Sequence, residues 1–136
     1  MAKKLVTPMI AMLLTAASLT TMPALAEGYF ETHVKAVLDG FQTRRWSDSN
    51  SDGYNTEITA SGCTNAVHGS PGKVTFTLRR ELDFRPDANL GERYVNGCYK
   101  SWERGVWAPP PAGRYYATIG TYPRNHLSIK WIKVVY

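Results

Sequence analysis

Beyond its first 29 residues, this chain places apolar side chains at every second position and sustains no helical spacing. The clearest run is KVTFTLRREL, residues 73–82, where Val74, Phe76 and Leu78 point one way and Thr75, Thr77 and Arg79 the other. A period of two means a strand with one face against a core. FETHVKAVL, residues 30–38, sets Phe30, Val34, Ala36 and Leu38 against Glu31, His33 and Lys35; a short helix is the competing reading there. A turn at Asp39-Gly40 leads into FQTRRW, which continues extended. YNTEITASGC, ERYVNGCYKSW, RYYATIGTY and HLSIKWIKVVY supply further strands, and in the last Leu127, Ile129 and Trp131 alternate with Ser128, Lys130 and Ile132. TNAVHGSPG and RPDANLGE carry turn chemistry. WAPPPAG is a stiff connection, because each proline fixes φ and removes a donor. The expected fold is all-β: a small antiparallel β-sandwich, or a partly open barrel, of about seven short strands.

The N-terminus sits outside this pattern. Lys3 and Lys4 precede an uncharged, mostly apolar run from Leu5 to Leu19, followed by Pro23 and the small-x-small signature Ala24-Leu25-Ala26. That order is a secretory signal peptide, residues 1–26. The run is short for a span, which takes about 20 apolar residues, and no later segment is apolar enough to cross a membrane. The expected mature chain is a single all-β domain, residues 27–136, secreted and extracellular. Without Lys3 and Lys4 the 16 basic residues become 14 against 11 acids, a net charge of +3. So mild a charge, with no basic run longer than two residues, argues with export against nucleic acid as a partner. The expected state is a monomer. An exported chain with only two cysteines, Cys63 and Cys98, has one intramolecular pairing open to it. That disulfide would close a loop of about 35 residues and stabilise by about 3–4 kcal/mol.

WSDSNSDGYNTEI, residues 46–58, raises the sharpest chemical question. Asp48, Asn50, Asp52 and Gly53 match the first half of a D-x-[DN]-x-[DN]-G calcium loop. The closing Glu of that motif falls on Thr59, Glu57 is two residues early, and no helix pattern flanks the loop. This is therefore no EF-hand. A calcium site between strands would draw on Asp48, Asn50, Asp52 and Glu57; the competing reading is a polar hairpin loop. No other cofactor is implied.

Four Trp and eight Tyr are many for this length. Flat aromatics with polar neighbours suit sugar rings or a protein partner. Tyr99, Trp102, Trp107, Tyr115 and Tyr116 are the candidates, since Tyr115 and Tyr116 are adjacent and must face opposite ways on a strand. Most aromatics, Trp131 above all, are expected in the core. His33, His68 and His126 stand apart, no GxSxG, HExxH or P-loop occurs, and Glu57, Asp83, Asp87 and Glu103 are not placed together by sequence. The leading expectation is a non-catalytic binding protein for carbohydrate or another cell-envelope or extracellular polymer. The alternative is a secreted inhibitor or effector presenting a rigid loop at Pro109–Pro111, and a small hydrolase comes third.

Overall fold

The computed structural model describes residues 26–65, 73–95, 104–122 and 126–136. Nine strands follow one another with no helix among the described residues: β1 (Tyr29–Val37), β2 (Phe41–Gln42), β3 (Trp46–Asp48), β4 (Thr56–Asn65), β5 (Lys73–Arg80), β6 (Ala88–Tyr94), β7 (Gly105–Trp107), β8 (Gly113–Tyr122) and β9 (Leu127–Val135). They form two antiparallel sheets. One runs β1-β9-β4-β7; the other runs β2-β8-β5-β6, with β3 on the same strand β8. Treating β2 and β3 as one interrupted strand makes the order intelligible. β1 pairs β9, β2 and β3 pair β8, β4 pairs β7, and β5 pairs β6. That is a single long hairpin rolled up, and the contacts β4·β9 and β5·β8 close the roll. This is the jelly-roll order, an antiparallel sandwich in which successive pairs of the rolled hairpin alternate between sheets.

Apolar alternation builds the core, with corrections where the register slips. In β1, Phe30, Val34 and Val37 are buried, while Ala36 and Leu38, expected inside, are exposed. The β1–β9 register shifts between Val34 and Val37, and Ala36 takes a φ of 51° there. An extra residue in one strand turns every later side chain over. β9 turns over as well: Leu127 and Ile129 are buried, then Ile132 and Val134, so Trp131 is only half-buried. Its partner β4 changes face at the same level, from Ile58 and Ala60 to Cys63 and Asn65. Gly62, at φ 66°, makes that joint possible, and a Cβ there would meet the Lys130 side chain. Residues 85–92, expected as a loop, contain the start of β6. Asn89 and Gly91 are there because the strand is bulged: the Gly91 N–H donates to Asn89 Oδ1 and Gly91 has a φ of 104°.

The two lateral openings of the sandwich are closed differently. Between β6 and β7 the Trp107 indole, 2 % exposed, donates from Nε1 to the Gly91 carbonyl at 2.9 Å and ties the sheets together. On the opposite side, the β1–β3 end is capped by rings: Phe30 lies 5.6 Å from Trp46, and Trp46 lies 5.9 Å from Tyr136 and 6.2 Å from Tyr115. Further along, a groove opens between β1 and β2.

Candidate functional site

The DSNSDG loop has its donors turned inward. Asp48 Oδ1 accepts the Asn50 N–H at 2.7 Å and Asp52 Oδ1 accepts the Tyr54 N–H at 2.8 Å, two turns held by side chains. Those turns, with positive φ at Asn50 and Gly53, aim the remaining groups at one carboxylate. Glu27 accepts from the Ser49 N–H at 2.9 Å, the Ser49 hydroxyl at 2.7 Å, the Ser51 hydroxyl at 2.7 Å and the Ser51 N–H. The two serine hydroxyls, then the two amides, hold the Glu27 carboxyl down at about 2. Asp48, 4 % exposed, is shifted the other way, upward, chiefly by burial. Glu57, the fourth expected calcium ligand, lies on β4 and pairs with Arg104 at 3.2 Å. The amides and hydroxyls of Ser49 and Ser51 are thus engaged by a carboxylate of the chain itself. No set of three metal-ligating side chains is found among the described residues.

The expected aromatic platform is corrected in the same way. Trp107 is the seal described above. Tyr115 is fully buried and donates its hydroxyl to the Pro111 carbonyl. Tyr116 does face outward, as its parity requires, yet it is only 5 % exposed. The Arg45 guanidinium lies 4.8 Å above its ring, and its hydroxyl donates to Asp87 Oδ2 at 2.7 Å. That bond lowers the Asp87 carboxyl and raises the Tyr116 phenol. Trp107 and Tyr115 lie between the sheets and Tyr116 is covered by Arg45 on the outer face, so none of the three offers an exposed ring. Tyr99, Trp102 and Cys98 lie outside the described residues. Cys63 is buried on β4, and no described cysteine is free. The proline loop is anchored but exposed: Pro110 is buried and Arg80 donates to the Ala112 carbonyl at 2.6 Å, while Ala108, Pro109, Pro111 and Ala112 are exposed.

A hollow of about 260 Å³ lies against Trp107 and Pro109–Pro111, with Leu90 and Arg93 beside it, and larger concave surfaces lie on the unsealed side of the sandwich. A groove of about 340 Å³ runs along β1 and the β2–β3 segment, lined by Thr32, His33, Lys35, Phe41, Gln42, Thr43 and Arg44, with Val34 and Val37 as its floor. It meets a second hollow of about 460 Å³, between Ala36 and Phe41 with His126 at the far side; both share Val37 and Phe41. Phe41 is 43 % exposed because it sits at the mouth, opposite Ile119 of β8. Between Gln42 and Trp46 the strand carries one residue more than β8. Thr43 repairs the break, accepting the Ala117 N–H on its hydroxyl at 3.0 Å while its own N–H donates to the Ala117 carbonyl. The same break turns Arg44 back over Phe30, 4.3 Å from the ring. Lys35, His33 and Arg44 are all exposed. The one carboxylate in the adjoining hollow, Asp39, accepts the Thr121 N–H at 3.1 Å. The groove therefore combines an apolar floor, one exposed ring face, neutral hydrogen-bonding groups and a basic rim. It also runs between two strands, β1 and β2, that are edges of their sheets.

Sequence patterning had put His33 and Lys35 on the polar side of the first strand. Nothing in it showed that β1 and β2 flank a common opening. Neither a protein-family model, nor a curated protein, nor a solved structure matches the chain.

Proposed function

We propose that the protein is an exported, non-catalytic binding module for an extended anionic polymer of the cell envelope or its surroundings, a polysaccharide carrying carboxylates. The observation that carries the reading is the unsealed β1–β2 groove, with Phe41 exposed beside Lys35, His33 and Arg44. Sugar rings present an apolar face and a hydroxyl rim, which suits Phe41 with Thr32, Gln42 and Thr43 around it. Carboxylates on alternate units suit the exposed cations Lys35 and Arg44, each worth about 0.2–1 kcal/mol in water. Such a site binds through several contacts at once, on the order of 0.1–1 mM per site, and loses affinity as salt screens it. Export rests on the signal-peptide pattern of residues 1–26, and a Cys63–Cys98 disulfide completes the proposed secreted form.

Retention on immobilised polygalacturonate against a neutral glucan tests the reading. The protein should be held by the acidic polymer at low salt, released by about 0.5 M salt, and released also by Phe41→Ala or Lys35→Glu. Equal retention on both polymers, or retention indifferent to both substitutions, refutes it.

A further inference from the structure

Phe30 does more than join the aromatic cap. Its side chain is fixed in the core at 5 % exposed, and the Arg44 guanidinium lies 4.3 Å from its ring centroid, within cation–π range. Arg44 is itself exposed and lines the groove, where no acidic side chain stands beside it. Other arginines commit their donors to the protein: Arg45 and Arg114 to Glu81, Arg104 to Glu57, Arg80 to the Ala112 carbonyl and Arg93 to the Val106 carbonyl. The Arg44 guanidinium donates to no group among the described residues. It is a cation held in place with its N–H donors open to a ligand.

A guanidinium presents those donors as a flat fork that matches the two oxygens of a carboxylate. A ring beneath it restrains the fork without occupying a donor. Lys35, on the same rim, is a point charge on a flexible stem, which attracts an anion without fixing its orientation.

The two ends of the groove differ. Phe41 shares the hollow beside the Asp39-Gly40 turn with Val37 and Leu38, whereas Trp46 stands 5.6 Å from Phe30 in the cap. Arg44, drawn over Phe30, therefore faces the capped end and Phe41 the open end. Three residues of extended chain cover about 10 Å. That is farther than one sugar unit reaches from its ring face to its own carboxylate.

We propose that Arg44 is the residue that reads a carboxylate in this groove: steadied by Phe30, its guanidinium takes one uronate carboxylate in a two-point hydrogen bond, while a ring from a different unit of the same polymer lies against Phe41. The ligand is then an acidic oligosaccharide rather than a single uronate, bound with a defined carboxylate at the capped end. The inference deepens the groove reading above and rests on it.

Calorimetric titration with trigalacturonate, its methyl ester and monomeric galacturonate tests the assignment on wild type and on Arg44→Lys, which keeps the charge and loses the fork. Arg44→Lys should weaken binding of the free-acid trimer about fivefold or more and leave binding of the ester as in wild type. Melting temperature should not change, and Arg85→Lys, outside the groove, should bind as wild type does. The monomer should bind wild type more weakly than the trimer does. An Arg44→Lys protein that binds the free acid as tightly as wild type, or loses acid and ester binding alike, overturns the role of Arg44 and leaves the groove reading standing. A monomer as tight as the trimer overturns the two-unit span. A wild-type protein that does not bind the trimer overturns the groove reading and this inference together.

Discussion

Truncating Trp107 discriminates most sharply between an aromatic that binds ligands and one that seals a sandwich. Its ring is 2 % exposed and its Nε1 donates to Gly91 across the β6–β7 opening. Trp107→Ala removes the largest side chain on β7, and such truncations in a core cost about 3–5 kcal/mol. Trp107→Phe keeps most of the apolar volume but leaves the Gly91 carbonyl without its donor. That change alone costs about 1 kcal/mol, plus a similar amount for the smaller ring. Domains of this size are stable by about 5–15 kcal/mol, so the alanine variant loses a large part of the total and the phenylalanine variant a modest part. Urea unfolding followed by fluorescence and far-UV circular dichroism measures both, and an unchanged slope shows that the surface exposed on unfolding is the same. Binding in the β1–β2 groove, on the opposite side, should be unaffected by Trp107→Phe. A loss below about 1 kcal/mol for Trp107→Ala, or loss of polymer binding with stability intact, would refute the sealing role.

Other expectations follow from single contacts. Glu27 is held below its ordinary value, so its clasp stabilises above pH 4.5 and that stabilisation is lost as pH falls from 4.5 toward 2; in acid unfolding series, Glu27→Gln should differ from wild type above this window and converge with it below. Millimolar calcium should leave the melting temperature where chelator leaves it, because the loop amides and hydroxyls converge on a carboxylate; a rise abolished by Asp52→Ala would contradict that geometry. Trp46 Nε1 is buried with no partner among the described residues, so Trp46→Phe should cost less than about 1–2 kcal/mol despite full burial, the lost contacts being offset by removal of an unpaired donor. Phe84 is fully exposed at φ 59°, in the turn that Asp87 closes by accepting the Leu82 N–H. A bulky residue in that region is strained, so Phe84→Asn should raise stability by up to about 1 kcal/mol, and a loss would show that the ring has a contact the turn needs.

Strand periodicity was legible because burial on one face writes itself into every second residue. Val74, Phe76 and Leu78 are buried as the alternation required. It failed where the backbone inserts a residue: Ala36, Trp131 and the Thr43–Arg45 break each turn the pattern over, and only pairing with another strand shows which way. The rolled-up strand order was not readable, since it depends on contacts such as β1 with β9 that lie about a hundred residues apart. The candidate sites divided along the same line. Residue types in the DSNSDG loop left a calcium site and a polar turn open; the structure shows the side-chain turns at Asp48 and Asp52, and the carboxylate held there, Glu27, is 22 residues away from Ser49 and carries no motif. Most rings were expected in the core, but Trp107, Tyr115 and Tyr116 were placed at the surface because sequence counts rings without saying which gap each one fills. Phe41, the ring left at a mouth, looked like one more strand residue.

Amide chemical-shift mapping of the oxidised mature chain during titration with an acidic oligosaccharide tests the binding proposal most directly. The largest, saturating shifts should fall on residues 32–44 and around His126, vanish at high salt, and be absent with the neutral oligosaccharide of equal length. Shifts centred instead on the proline loop or the β6–β7 side, or none at millimolar ligand, would contradict a binding groove between β1 and β2.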